Sequence, residues 1–129
     1  GAEAVIEGCD SNGCEYMTGG SVVILGKVGD NFAAGMTGGM AFIYDLKQEF
    51  KNYVNSDSVI WQTPETDYWK NYLKSLINEH FSETQSKIAQ KIIKNFNNEV
   101  KNFQQVCPRE MINKLSHPLS SNLKILKAI

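Results

Sequence analysis

No glycine follows position 39: all ten fall between Gly1 and Gly39, and the next 90 residues have none. Proline is nearly as scarce, with only Pro64, Pro108 and Pro118. Together these shortages exclude a collagen-like chain or a Pro/Gly-rich linker. A run of 18 apolar residues is also missing, which excludes a membrane-spanning helix on length. The first residues lack a basic stretch leading into an apolar one, so the expectation is a cytoplasmic or organellar, non-secreted setting. Cysteine is limited to Cys9, Cys14 and Cys107, an odd number that in such a setting points to free thiols rather than a disulfide framework. A net charge of -1 offers no surplus of either sign to attract nucleic acid or an anionic membrane.

The chain does have the composition of a folded domain: 129 residues, 42% apolar and 21% charged. Its small net charge hides an asymmetry. Residues 1–60 carry eight acidic and three basic side chains, residues 61–129 six acidic and ten basic. The expectation is that the two halves attract one another, the alternative being a basic binding surface on the second half. The lysines from Lys70 to Lys101 are spread through a helical pattern and read as a solvated face.

The glycine-rich half repeats itself. Met17-Thr18-Gly19-Gly20 returns 19 residues later as Met36-Thr37-Gly38-Gly39, and sliding the sequence by 19 superimposes Gly1, Gly20 and Gly39. The apolar pairs Val5-Ile6, Ile24-Leu25 and Ile43-Tyr44 align too, and Asn12 falls on Asn31. Val22-Val23-Ile24-Leu25 and Ala41-Phe42-Ile43-Tyr44 are β-branched or aromatic runs of strand length bounded by glycines. A fixed period near 20 residues marks a solenoid, and these residue types select a right-handed parallel β-helix of about 19 residues per coil. On this reading Gly13, Gly19, Gly20, Gly26, Gly29, Gly35, Gly38 and Gly39 are structural, placed where the chain turns or coils approach closely. Barely two coils are present and the first starts in register at Gly1, so residues 1–60 are expected to be the last coils of a longer solenoid.

From Thr63 the texture is helical. Trp69, Leu73, Leu76, Ile77, His80 and Phe81 fall on one face behind Thr63-Pro64-Glu65, read as a cap, a first-turn proline and a first-turn acid. A second helix is expected from about Ser82, where Ser82-x-x-Gln85 has the form of a capping box. Its stripe is Ile88, Ala89, Ile92, Phe96, Val100 and Phe103, and Cys107-Pro108 should end it. Residues 61–111 thus form a helical tail packed on the coils, and 112–129 a divergent C-terminal tail.

Candidates for chemistry are weak. Cys9 and Cys14 are too far apart for a zinc knuckle and lack a second ligand pair. Cys14 as a nucleophile needs a base; His80, the nearest histidine in sequence, lies on an apolar helix face and reads as packed, while His117 in the polar tail reads as exposed. Five residues separate Gly20 from Gly26-Lys27, and Val28 follows, so the phosphate-cradling loop fails in spacing and in its last residue. No G-x-G-x-x-G occurs. The expectation is no catalytic, cofactor-binding or metal residue.

GCEYMTGGSVVILGKVGDNFAAGMTGGMAFIYD closely resembles the glycine-repeat β-helix domain at the C-terminus of the glutamate synthase large chain, densely over residues 8–45. More thinly, Ile77, His80, Thr84, Ser86, Ala89, Phe103, Val106 and Pro108-Arg109 are placed like that family's helical tail. The interval LKQEFKNYVNSDSVIWQ departs from its acidic spacing.

The resemblance implies a parent that makes two glutamates from glutamine and 2-oxoglutarate with electrons from a reduced nicotinamide or ferredoxin. The parent's FMN and iron-sulfur cluster lie outside this chain. The implied partners are the parent's FMN synthase and amidotransferase domains, which this domain holds in place as a non-catalytic scaffold. Self-association of the isolated chain through an uncovered strand edge is a further expectation. The alternative is a β-helix assembly or binding subunit of another oxidoreductase, such as formylmethanofuran dehydrogenase.

Overall fold

A computed structural model describes residues 3–7, 18–26, 28–29 and 32–120. Its centre is one five-stranded sheet. β1 (Glu3–Ile6), β2 (Thr18–Ile24), β3 (Gly38–Tyr44), β4 (Val59–Gln62) and β5 (Phe103–Pro108) lie in the order β1-β2-β3-β5-β4. β1, β2 and β3 run parallel; β5 pairs antiparallel with both β3 and β4.

The sequence repeat is legible in the first three strands, although its two intervals differ. Between β2 and β3 the offset is 19, with Ser21 beside Met40 and Ile24 beside Ile43. Between β1 and β2 it is 18, because Val5 lies beside Val23 and Ile6 beside Ile24. A one-residue slip exchanges the faces of a strand. Val5 therefore joins Val23 on the helix-covered face, whereas the sequence alignment had matched it with Ile24.

The parallel β-helix does not form. Beyond β3 the sheet gains no further parallel pair among the described residues: β5 joins β3 antiparallel and β4 joins β5 antiparallel, so the sheet stays open and mixed rather than winding into coils. A repeat of 19 specifies a parallel register between two neighbouring strands, which a coil requires but which does not by itself make one. The second expected helix is also corrected. α1 (Asp67–Thr84) is capped by Thr66, whose side chain accepts from Trp69 N, and ends at Gln85 in a left-handed conformation. Ser86, four residues beyond the expected cap, starts α2 (Lys87–Lys94) by accepting from Ala89 N. α3 (Phe96–Glu99) and a 3-10 turn follow, and the chain then straightens into β5 where helix had been expected.

Both faces of the sheet are covered. On one, Val23, Met40, Phe42, Phe103 and Cys107 meet Trp69, Leu73, Ile77, Ala89 and Ile92 of the helices. Phe42 lies at the centre, its ring 6.3 Å from that of Trp69 and 6.2 Å from that of Tyr72. On the other, Ile24, Ala41, Ile43, Val59 and Val106 meet Phe32, Ala33, Met36 and Phe50 from irregular segments. Each fully buried large side chain contributes about 1.5–3 kcal/mol by leaving water.

After β5, residues Arg109–Lys114 make a 3-10 turn and the chain folds back as a strap over the start of α1. Trp69 Nε1 donates to the carbonyls of His117 (3.2 Å) and Pro118 (3.1 Å), and Gln62 Nε2 to that of Leu119 (2.9 Å). Leu119 and Ser120 are completely buried.

Candidate functional site

Gly20 and Gly39, which the repeat superimposes, both take left-handed backbone conformations, with φ of 78° and 84°. They lie where the β2–β3 register shifts: Thr18 pairs with Gly38 but Ser21 with Met40, so two residues of β2 oppose one of β3. That is a β-bulge, and an unbranched backbone permits it at low cost. Gly35 also has positive φ, 66°, and its N–H donates to Ser58 Oγ at 3.1 Å. Gly19 differs, since a Cβ built there meets no atom within 4 Å. Gly38 is buried at the start of β3, Gly26 and Gly29 are half-buried near the end of β2, and Gly13 lies outside the described residues.

The residues weighed for chemistry do not converge. Cys9 and Cys14 lie outside the described residues, so no pairing of Cys14 with His80 can be described. Cys107 is a free, buried thiol, and burial pushes its pKa up to about 12, which keeps it protonated. His80, read from sequence as packed on the apolar face, sits at that face's margin and pairs with Glu7 through Nε2 to Oε2 at 3.1 Å. Hydrogen bonds from His80, and secondarily Ser86, hold the Glu7 carboxyl below its ordinary range. His117 is exposed, with its ring stacked on Tyr68 at 3.6 Å between centroids.

Four polar contacts between distant segments had no sequence signal. His80–Glu7 is one. Tyr72 donates to Glu3 Oε2 and lies 2.8 Å from Ser21 Oγ, which with the first contact clips β1 to α1. Tyr44 donates to Glu99 Oε2 at 2.5 Å, joining the end of β3 to α3. Burial, and then the facing carboxylate, raise both tyrosine hydroxyls above their usual range. Each joins a strand, or in Glu7 the residue just past β1, to a helix.

A groove of about 260 Å³ opens beyond the ends of β2 and β3. Leu25, Val28, Ile43, Phe50 and Ile88 form its apolar wall, and Lys47 and Glu49 stand on its rim. Its border is a tightly built turn. Asp45 Oδ1 accepts from the N–H groups of Glu49 (2.9 Å) and Phe50 (3.2 Å), and Gln48 N–H donates to Asp45 O while Gln48 takes a left-handed φ of 59°. The sequence repeat gave no hint of this groove, which mixes residues from the strand ends, the turn and α2.

Residues 1–109 match the family described as GXGXG motif. The chain is 56% identical over 119 residues to the large chain of the NADPH glutamate synthase of Azospirillum brasilense, an alignment covering 92% of this chain and 8% of that one. It is 44% identical over 110 residues to the NADH glutamate synthase of Schizosaccharomyces pombe, covering 85% and 5%. It is 45% identical over 107 residues to the chloroplastic ferredoxin-dependent glutamate synthase of Spinacia oleracea, covering 83% and 7%. The chain thus spans between 5% and 8% of the length of these relatives.

Proposed function

The chain belongs to the GXGXG-motif family, and from that membership we propose that it serves as a non-catalytic scaffold domain of a glutamate synthase. In this role it packs against the amidotransferase and FMN synthase domains of a longer chain and keeps them in fixed relation, so that ammonia freed from glutamine reaches 2-oxoglutarate. The observation that carries the reading is recurrence across donors. Relatives named for NADPH, for NADH and for ferredoxin share this segment at 44–56% identity. A segment common to three electron donors is unsuited to choosing among them, and its role belongs to what those enzymes have in common.

The FMN and iron-sulfur cluster of such a parent are assigned to its other domains. An iron-sulfur cluster needs several cysteine thiolates, and Cys107, the cysteine described here, is buried and protonated. Among the described residues, Cys107 is therefore unsuited to ligate a cluster.

The glutamate synthase relatives favour this reading over an assembly subunit of another oxidoreductase. Purifying the chain and measuring its flavin spectrum and glutaminase activity tests the non-catalytic part. The expected result is a colourless protein without glutaminase. A bound flavin, or glutamine hydrolysis abolished by Cys14→Ala, would contradict it.

A further inference from the structure

The strap over α1 is held in the way a bound peptide is held. Among the described residues, no backbone–backbone hydrogen bond joins 115–119 to the sheet or to α1–α3. Side chains of the body hold its carbonyls instead. The single Trp69 indole N–H is shared between His117 O and Pro118 O, and Gln62 Nε2 donates to Leu119 O at 2.9 Å. Leu119 is completely buried, the His117 ring lies on that of Tyr68, and Ser120 Oγ donates to Glu65 Oε1 at 2.8 Å. Hydrogen bonds to a ligand's main chain, with a pocket for an anchoring side chain, are the means by which proteins bind extended peptides. Site and occupant also belong to different parts of the chain. Gln62, Glu65, Tyr68 and Trp69 lie within residues 1–109, which match the family, and the strap lies beyond them.

We propose that the junction of β4 and α1 is a peptide-binding site, and that residues 115–120 are its tethered, exchangeable occupant. The ligand it takes is an extended segment carrying Pro-Leu. Leucine supplies the anchor; proline brings no N–H to leave unpaired and biases the residue before it, here His117, toward extended backbone. Withdrawing the strap breaks no strand pair and frees Leu119 and the half-buried Leu115 alone among its apolar side chains of this size. It therefore opens locally, while the sheet and α1 stay folded.

Two experiments on the full chain test this. In the first, the wild type is digested under native conditions at increasing urea. Cleavage within 115–120 is expected to rise with urea far less steeply than global unfolding, because local opening exposes little surface. A slope equal to that of global unfolding overturns the proposal. The second uses Leu119→Asp, whose carboxylate cannot enter an apolar pocket and so vacates the site, with far-ultraviolet circular dichroism to verify the fold. A fluorescein-labelled, amidated peptide of residues 115–120, LSHPLS, should bind this variant with Kd below about 1 mM by anisotropy. It should bind the wild type about tenfold more weakly, since the tethered strap competes at an effective concentration in the millimolar range. Adding Trp69→Phe to the variant should weaken the peptide severalfold, and a peptide carrying Leu119→Asp should not bind. Equal binding to wild type and variant, no binding to the variant, indifference to Trp69→Phe, or binding of the altered peptide each overturns the proposal. So does a Leu119→Asp chain that fails to fold, because the strap would then be part of the core and not a ligand.

Discussion

Gly20 and Gly39 hold the same left-handed backbone conformation on adjacent parallel strands, 78° and 84° in φ, where the register between β2 and β3 shifts by one residue. Left-handed backbone costs an L-residue with a Cβ roughly 1–2 kcal/mol. Gly20→Ala and Gly39→Ala should therefore each lower unfolding stability by about that amount in urea titration. Gly19→Ala should be neutral or slightly stabilising, because its Cβ meets no atom within 4 Å. Equal losses at all three positions would show that the bulge is not what requires glycine.

Cys107 gives the onset of the alkaline limb of stability a specific origin. Burial raises its thiol from 9.0 to about 12, so above pH 9 the unfolded chain releases a proton that the folded chain keeps. The folded state then binds more protons, and stability falls with rising pH until the folded thiol itself ionises near 12. Cys107→Ala should make this limb shallower at its onset, the raised Tyr44 and Tyr72 hydroxyls supplying the part that begins at higher pH, while costing some packing at neutral pH. Alkylation mapped by mass spectrometry should leave Cys107 unmodified in the folded chain at pH 8; rapid modification there would contradict its burial.

The parts of the fold written in local patterns were readable, and those made by distant partners were not. Trp69, Leu73, Leu76 and Ile77 announced α1 because a helix buries residues three and four apart, and all four are buried. The 19-residue repeat gave the parallel neighbours β2 and β3 for a similar reason. It misled when extended to a β-helix, because nothing in the repeat encodes the antiparallel return of β5. β5 was masked twice over. Phe96, Val100 and Phe103 prolong a helical spacing, and Gln105, completely buried with its Oε1 unpartnered, puts a polar residue on the core side of the strand alternation. Ser82 and Gln85 imitated a capping box, yet Gln85 instead ends α1 with φ of 57°. Glu7 and His80, 73 residues apart, leave no trace in any local window.

The strap after β5 is tied to α1 through one indole and to β4 through Gln62. Trp69→Phe keeps the ring in the core but removes the donor to His117 O and Pro118 O, leaving two carbonyls that α1 no longer holds. A loss of about 1–3 kcal/mol is expected. Limited proteolysis should then cut between Leu115 and Ser120 faster than in the wild type. Unchanged stability together with unchanged protection would mean that Leu119 packing and the Gln62 and Ser120 hydrogen bonds suffice to hold the strap.

A segment exchange tests the central claim most directly. Replacing the aligned 119-residue segment of the Azospirillum brasilense large chain, 56% identical, with this chain should give an enzyme that still makes glutamate from glutamine and 2-oxoglutarate. The quantity to measure is glutamine consumed per 2-oxoglutarate converted. The scaffold account predicts a ratio near that of the unaltered enzyme for the exchange. It predicts a raised ratio, with ammonia escaping, when the segment carries Phe42→Ala, which removes the central core ring at about 3–5 kcal/mol. A folded, flavin-loaded exchange enzyme whose glutamine use is uncoupled, or a Phe42→Ala exchange that unfolds the segment without altering the ratio, would contradict it.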